Sequence, residues 1–128
     1  MNRKIILTAS LFGFTAVVFG AFGAHMLKES ISPSALDIWN KGVSYQFYHV
    51  FALLFLSTFA RFKNKLVNLS YIFFTAGIVF FSGSLYLLAT REIFSFGFVK
   101  FIGPITPLGG LFFILGWIML FLAAMRHK

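Results

Sequence analysis

His25 and His49 are the only side chains in the long apolar stretches of this chain that titrate near neutral pH, and both have polar neighbours in the sequence. Tyr45, Gln46 and Tyr48 run directly into His49; Ser82, Ser84 and Tyr86 follow a later run of small residues; Thr106 opens the last apolar stretch. A polar group in hydrocarbon costs several kcal/mol unless it finds a partner, so this recurrence points to one shared hydrogen-bonded cluster. Three chemistries fit it. Neutral imidazoles bonded to Gln46, Tyr45, Tyr86 or Ser84 would lock helices together. The same groups could relay protons or recognise a lipid headgroup, a quinone or another small molecule. Two imidazoles could also hold a metal or a haem iron, with Met26 as a soft third ligand. That donor set lacks the carboxylate or thiolate that such sites favour, so no metal and no cofactor is expected.

Catalysis needs more than these residues provide. A serine nucleophile requires a base and a group that orients it, and the three acids, Glu29, Asp37 and Glu92, all fall outside the apolar stretches. The phosphate-loop, dinucleotide and metalloprotease helix motifs are missing, so no catalytic residue is assigned. With no cysteine there is no thiol chemistry and no disulfide.

The elements that must position these groups are helices in a bilayer. Hydrophobic residues make up 59% of the 128 residues and charged residues 11%, which leaves too little polar surface for a water-soluble domain. The apolar stretches, at about 5–27, 45–60, 66–90 and 107–125, are each near the ~20 residues that cross ~30 Å of hydrocarbon as a helix. The expected fold is all-α: a polytopic membrane protein of one domain, residues 1–128, with four transmembrane helices in a bundle. The basic start at Asn2-Arg3-Lys4 has the look of a signal peptide, but its apolar region exceeds the 7–15 residues of a signal core, so it is expected to be a retained first span.

Counting Lys and Arg gives Arg3, Lys4, Arg61, Lys63, Lys65, Arg126 and Lys128 on the side of both termini, seven in all, against Lys28, Lys41, Arg91 and Lys100, four, on the other. The positive-inside bias then predicts a multi-pass protein of the cell (inner or plasma) membrane with both termini in the cytoplasm. The net charge of +8 reflects this bias and contact with anionic headgroups rather than nucleic-acid binding.

Between spans one and two, Ser32 and Pro33 form a helix start, and Leu36, Trp39 and Val43 recur at spacings of three and four. This predicts a short interfacial helix with Trp39 as its anchor. The stretch from Arg91 to Thr106, with Gly97, Gly103, Pro104 and phenylalanines 94, 96, 98 and 101, is expected to sit in the headgroup region or partly re-enter, with Thr106 capping span four and Pro107 its first residue. Alternating helix direction would then bring His25, Tyr45, Gln46, His49, Ser82, Ser84, Tyr86 and Thr106 to one depth. Gly20, Gly23, Gly83, Gly109, Gly110 and Gly116 are expected to let helices approach closely. Phe14-Thr15-Ala16 recurs as Phe74-Thr75-Ala76, and at the same offset Gly23 matches Gly83 and Leu27 matches Leu87, which would make the two hairpins a pseudo-repeat.

One ordered set of motifs carries a resemblance: Gly20-Ala21-Phe22-Gly23-Ala24-His25; Trp39 with Tyr45-Gln46 and His49; Phe81-Ser82-Gly83-Ser84-Leu85-Tyr86; Thr106-Pro107-Leu108-Gly109-Gly110 with Gly116-Trp117. In this set the chain resembles the small membrane proteins classified as domain of unknown function 423. The resemblance implies a compact four-helix membrane protein and brings no activity with it. The residues themselves favour a non-enzymatic membrane module that binds a small ligand or lipid headgroup, or stabilises a membrane complex. A small transporter or channel with a histidine-based, proton-linked gate is the alternative. The 20 phenylalanines, many of them beside small residues, point to a homo-oligomer or to a partner membrane protein.

Overall fold

Three of the long helices begin where a short polar side chain accepts a hydrogen bond from an otherwise unpaired backbone N–H. The computed structural model describes residues 2–59, 64–94 and 99–126, and the regular structure among them is helical throughout. Helix α1, Arg3–Leu27, is capped by Asn2, whose side chain accepts from the Ile5 N–H. Helix α2, Pro33–Phe59, starts with proline at its first position and the Ser32 hydroxyl accepting from the Ala35 N–H. Asn64 caps α3, Lys65–Ala89, in the same way. A single turn, α4, Arg91–Phe94, precedes α5, Val99–Arg126.

The chain runs up α1, down α2, up α3 and down α5, and all four long helices contribute to one core. Ile5 and Ala9 from α1, Leu53 and Leu56 from α2, Phe74 and Ile78 from α3 and Phe113 and Ala123 from α5 are buried together. The backbone also ties the far ends, with the Asn2 N–H donating to the Ser57 carbonyl at 3.0 Å. Helices α1, α3 and the span Lys100–Arg126 are long and apolar enough to cross a membrane. Helix α2 has the length but carries more polar side chains.

Two expectations are corrected. The short helix before span two is not a separate element: its apolar spacing, Leu36, Trp39, Val43, continues through Gln46, Val50 and Leu53 at steps of three and four, so one face runs unbroken down α2. Trp39 is therefore buried against α1 instead of anchoring an interfacial helix. Likewise α5 begins at Val99, well before Thr106, and continues through Pro104 and Pro107. Thr106 then lies inside the helix and cannot cap it. Pro104 and Pro107, the sixth and ninth residues of α5, lie beyond the unpaired first turn, so each withholds the backbone donor that the carbonyls of Lys100 and Gly103 would otherwise meet. Residues 95–98, with Phe96, Gly97 and Phe98, and the basic residues Arg61, Lys63 and Lys128 lie outside the described residues.

Both α1 and α3 contain one wide turn of π-helix, Val18–Gly23 and Ile78–Ser82. These turns start 60 residues apart, the offset of the Phe-Thr-Ala echo just before each of them, and the Val18 and Ile78 N–H groups each point at the carbonyls of the matching Phe and Thr.

Helix crossings depend on glycine where backbone meets backbone or a rigid ring. A Cβ on Gly109 would fall on the Phe81 backbone, one on Gly116 would stand 2.5 Å from the Phe74 ring, and one on Gly23 2.8 Å from Trp39. Gly42 and Gly77 are as tightly covered, by Tyr86 and Phe113, and Gly20 faces Val43. Gly110 has only ordinary contacts, and Gly83 faces open space, so neither sets a close approach. Gly109→Ala is expected to cost about 1–3 kcal/mol by overpacking, seen as a lower thermal unfolding midpoint in detergent. Gly83→Ala, with nothing within 4 Å of the new methyl, should leave the midpoint unchanged or raise it.

Candidate functional site

The register of α1 against α2 follows from their contacts: Gly13 meets Val50, Gly20 meets Val43 and Gly23 meets Trp39. Residue 25 is thus level with about residue 38 of α2, and the eleven residues from there to His49 amount to roughly 16 Å along the helix. The two histidines do not come together. His25 is exposed near the end of α1 and forms no hydrogen bond among the described residues. His49 is buried at mid-bundle. The physical reason is the early start of α2, which carries His49 four turns beyond its first residue instead of placing it at the entrance of a span.

His49 has a defined chemical state. Trp117 Nε1 can only donate and does so to His49 Nε2 at 3.1 Å, so Nε2 carries no proton. Nδ1 therefore holds it and donates to the Tyr45 carbonyl at 2.8 Å. The imidazole is neutral, has both nitrogens engaged, and stacks on Phe113 with ring centres 3.6 Å apart. It joins α2 to α5.

Gln46 joins three helices. Its amide nitrogen donates to the Phe12 carbonyl and to Thr15 Oγ1 on α1, both at 2.8 Å, while its oxygen accepts from the Tyr86 hydroxyl of α3 at 2.6 Å. One turn toward the α1–α2 connection, Ser82 Oγ donates to the Gly42 carbonyl at 2.7 Å, and Ser84 shares a 2.6 Å hydrogen bond with Thr106 on α5. No histidine is among the partners of either serine. Tyr45 packs its ring on Phe81 and Phe113. Thr15, Gly42 and Trp117 complete the network, and the face of α2 that continues through Gln46 is the signal in the sequence that could have found Thr15 and Gly42. Among the described residues no three His, Cys, Asp or Glu side chains gather into a metal-binding group.

Above this network lies an aromatic floor. Trp39 Nε1 donates to the Phe19 carbonyl at 2.9 Å, a carbonyl that the wide turn of α1 pairs with the Ala24 N–H five residues on. The Phe19, Trp39 and Tyr86 rings meet pairwise with centres 4.7–5.5 Å apart. Over this floor a groove of about 480 Å³ opens between α1 and α3, walled by Val18, Phe22, Met26, Leu87 and Phe94. Thr90 lines its upper end, with Arg91 next in the chain, and Lys28 follows Leu27 on the other wall.

A family model described as "Protein of unknown function (DUF423)" matches residues 19–110, which include every residue of this hydrogen-bonded network except Phe12, Thr15 and Trp117. The chain belongs to this family. DUF423 relatives resemble it over their whole length. A UPF0382 membrane protein of Staphylococcus aureus (strain bovine RF122 / ET3-1) is 43% identical over 124 residues, 97% of each chain. The UPF0382 membrane protein YwdK of Bacillus subtilis is 38% identical over 128 residues, 98% of each chain. One from Haemophilus influenzae is 38% identical over 128 residues, covering all of this chain and 98% of the relative. No solved structure matches. With relatives that are membrane proteins and three helices able to cross a bilayer, this DUF423 chain is an integral membrane protein.

Tyr86→Phe deletes one interhelical hydrogen bond and should cost about 0.6 kcal/mol and at most ~1.7, the mean and the maximum found for such bonds in membranes. Gln46→Leu strands the Tyr86 hydroxyl and removes both bonds to α1, where Thr15 Oγ1 keeps its own bond to the Phe12 carbonyl, and should cost roughly 2 kcal/mol or more. Thermal unfolding in detergent measures both, and equal losses would show that Gln46 does not bridge α1 and α3.

Proposed function

We propose that the protein is a non-enzymatic lipid-binding module of the cell membrane, in which the groove between α1 and α3 takes an acyl chain of an anionic phospholipid while Lys28 and Arg91 meet its phosphate. The observation that carries this reading is the groove itself: apolar, lateral, floored by three aromatic rings and flanked at one end by two exposed cations. The buried polar network touches the ligand in this scheme only through the Tyr86 ring. Its hydrogen bonds go to protein groups, and its part is to hold Tyr86 and, through the packed rings, Trp39 in place.

In this reading all four long helices cross the bilayer, α2 included, because its inner face packs into the shared core alongside α1. Both termini face the cytoplasm, in keeping with the Lys and Arg bias. The module assembles with copies of itself or with another membrane protein, and the large apolar side chains on its outer faces support that. The alternative of a histidine-gated transporter or channel, like metal or haem binding at the same residues, draws less support: both nitrogens of His49 are engaged and His25 lies far from it.

Native mass spectrometry after reconstitution into nanodiscs of mixed phosphatidylglycerol and phosphatidylcholine tests the groove. The wild type should retain phosphatidylglycerol through detergent transfer, and Leu87→Trp, which fills the groove from an exposed wall position, should lose it with an unchanged unfolding midpoint. Retention of neither lipid, or equal retention by the variant, would overturn the reading.

A further inference from the structure

The cleft between α1 and α3 continues below the aromatic floor of the groove. A second, smaller pocket of about 230 Å³ lies there, roofed by Phe19 and Tyr86, whose ring centres are 5.0 Å apart. Farther down, Thr8 and Tyr71 share a 2.6 Å hydrogen bond that joins the two helices again. The pocket is therefore a compartment of its own. Val79, 53% exposed, lines it and places its mouth on the outer surface of the bundle. Gly83 lines it too, and a Cβ there would meet nothing within 4 Å, so the missing side chain leaves room that no neighbour fills.

This level is the middle of the bundle, since Thr15 stands halfway along the 25 residues of α1. Hydrocarbon at that depth offers no hydrogen bonds. The pocket nevertheless has three polar side chains in its wall, Thr15, Gln46 and Tyr86, and their hydrogen-bond inventory is one-sided. Both amide protons of Gln46 are spent, on the Phe12 carbonyl and on Thr15 Oγ1. A carbonyl only accepts, so the amide cannot be turned the other way. The Thr15 proton goes to the Phe12 carbonyl at 3.1 Å, and the Tyr86 proton goes to Gln46 Oε1. Every donor of the three is used. Gln46 Oε1, Thr15 Oγ1 and the Tyr86 oxygen each accept no more than one bond among the described residues and retain a lone pair.

We propose that the pocket is a second binding site, selective for a lipid-soluble phenol whose hydroxyl donates to these oxygens while its ring packs along Phe12 and Phe19. An acyl chain would fill the volume and leave the three acceptors facing hydrocarbon. A hydroxyl donor meets them, and aromatic walls suit a flat ring. The volume is below the ~300–1,000 Å³ of sites for drug-sized ligands, which limits the occupant to one ring or two fused rings. A hydroquinone fits this description, and the corresponding quinone, which only accepts, does not. The site lies apart from the phospholipid groove and does not depend on that groove being filled.

2-Naphthol and 2-methoxynaphthalene share their rings and differ in the donor, so thermal unfolding of the full chain in detergent with each compound separates recognition of the hydroxyl from partition into the micelle. At about ten times its Kd, 2-naphthol should raise the midpoint by roughly 4–7 °C, and the methyl ether should leave it unchanged. Gly83→Leu and Val79→Trp, which fill the pocket from an open and from an exposed position, should each abolish the rise. Leu87→Trp, which fills only the groove above, should keep it. Where one pocket-filling variant fails to fold, the other decides, and where both fail, the contrast between the two compounds decides alone. Equal shifts with both compounds, no shift with either, a rise that survives the filled pocket, or its loss in Leu87→Trp would overturn the site. None of these outcomes touches phosphatidylglycerol retention, by which the groove is judged separately.

Discussion

A carboxamide held in hydrocarbon must find partners within the protein, and Gln46 meets that demand by drawing three helices to one point. Its nitrogen takes up a backbone carbonyl and a hydroxyl of α1, and its oxygen a hydroxyl of α3. Lipid tails are as apolar as leucine, so nothing like the hydrophobic effect sorts the faces of these helices. What fixes their rotation is the pairing of the few polar groups together with the close approach of glycine to ring and backbone. His49 does for α2 and α5 what Gln46 does for α1 and α3, and Ser82 adds a direct bond to the backbone of α2. Each lies on α2 or bonds to it, which makes the most polar of the four long helices the one around which the others are arranged.

The helical class and the existence of all four long segments were legible in the sequence, because apolar length is a strong signal and the helix start at Ser32 and Pro33 is local. Depth was less so. The charged residues at 37 and 41 look like the end of a membrane segment, and they hid the continuity of α2 from Pro33. Once α2 starts there, every residue on it shifts down the bundle, Gln46 meets Thr15 instead of His25, and His49 reaches Trp117. Trp117 stood outside any polar motif in the sequence, and only the tertiary crossing of α2 and α5 reveals it as a hydrogen-bond donor to the ring. Thr106 was misjudged for a related reason: a proline after a threonine reads as a helix start, yet α5 was already two turns under way.

The echo between the two halves carries more weight in the structure than in the sequence. Five matches in apolar segments are weak, but both copies lead into a wide turn that begins at the same offset. The halves then diverge in their chemistry. Thr15 accepts from Gln46, whereas Thr75, its counterpart, has the one buried side-chain oxygen without a partner among the described residues. The first hairpin has a glutamine to reach its threonine, and over the second the Phe113 ring covers Gly77 instead.

The wide turns have a consequence for how this chain can vary. A π turn is an α-helix with one residue too many, and each residue of an ordinary helix accounts for about 100° of rotation. The wide turn takes up that extra residue, so losing one position within Ile78–Ser82 would restore regular winding and leave Tyr86 facing Gln46, whereas a deletion in the regular turns of α3 on either side would swing Tyr86 round the axis. Length is therefore less constrained in these two segments than in the rest of α1 and α3, and a single-residue deletion there should be tolerated more readily than one in the regular turns that flank them.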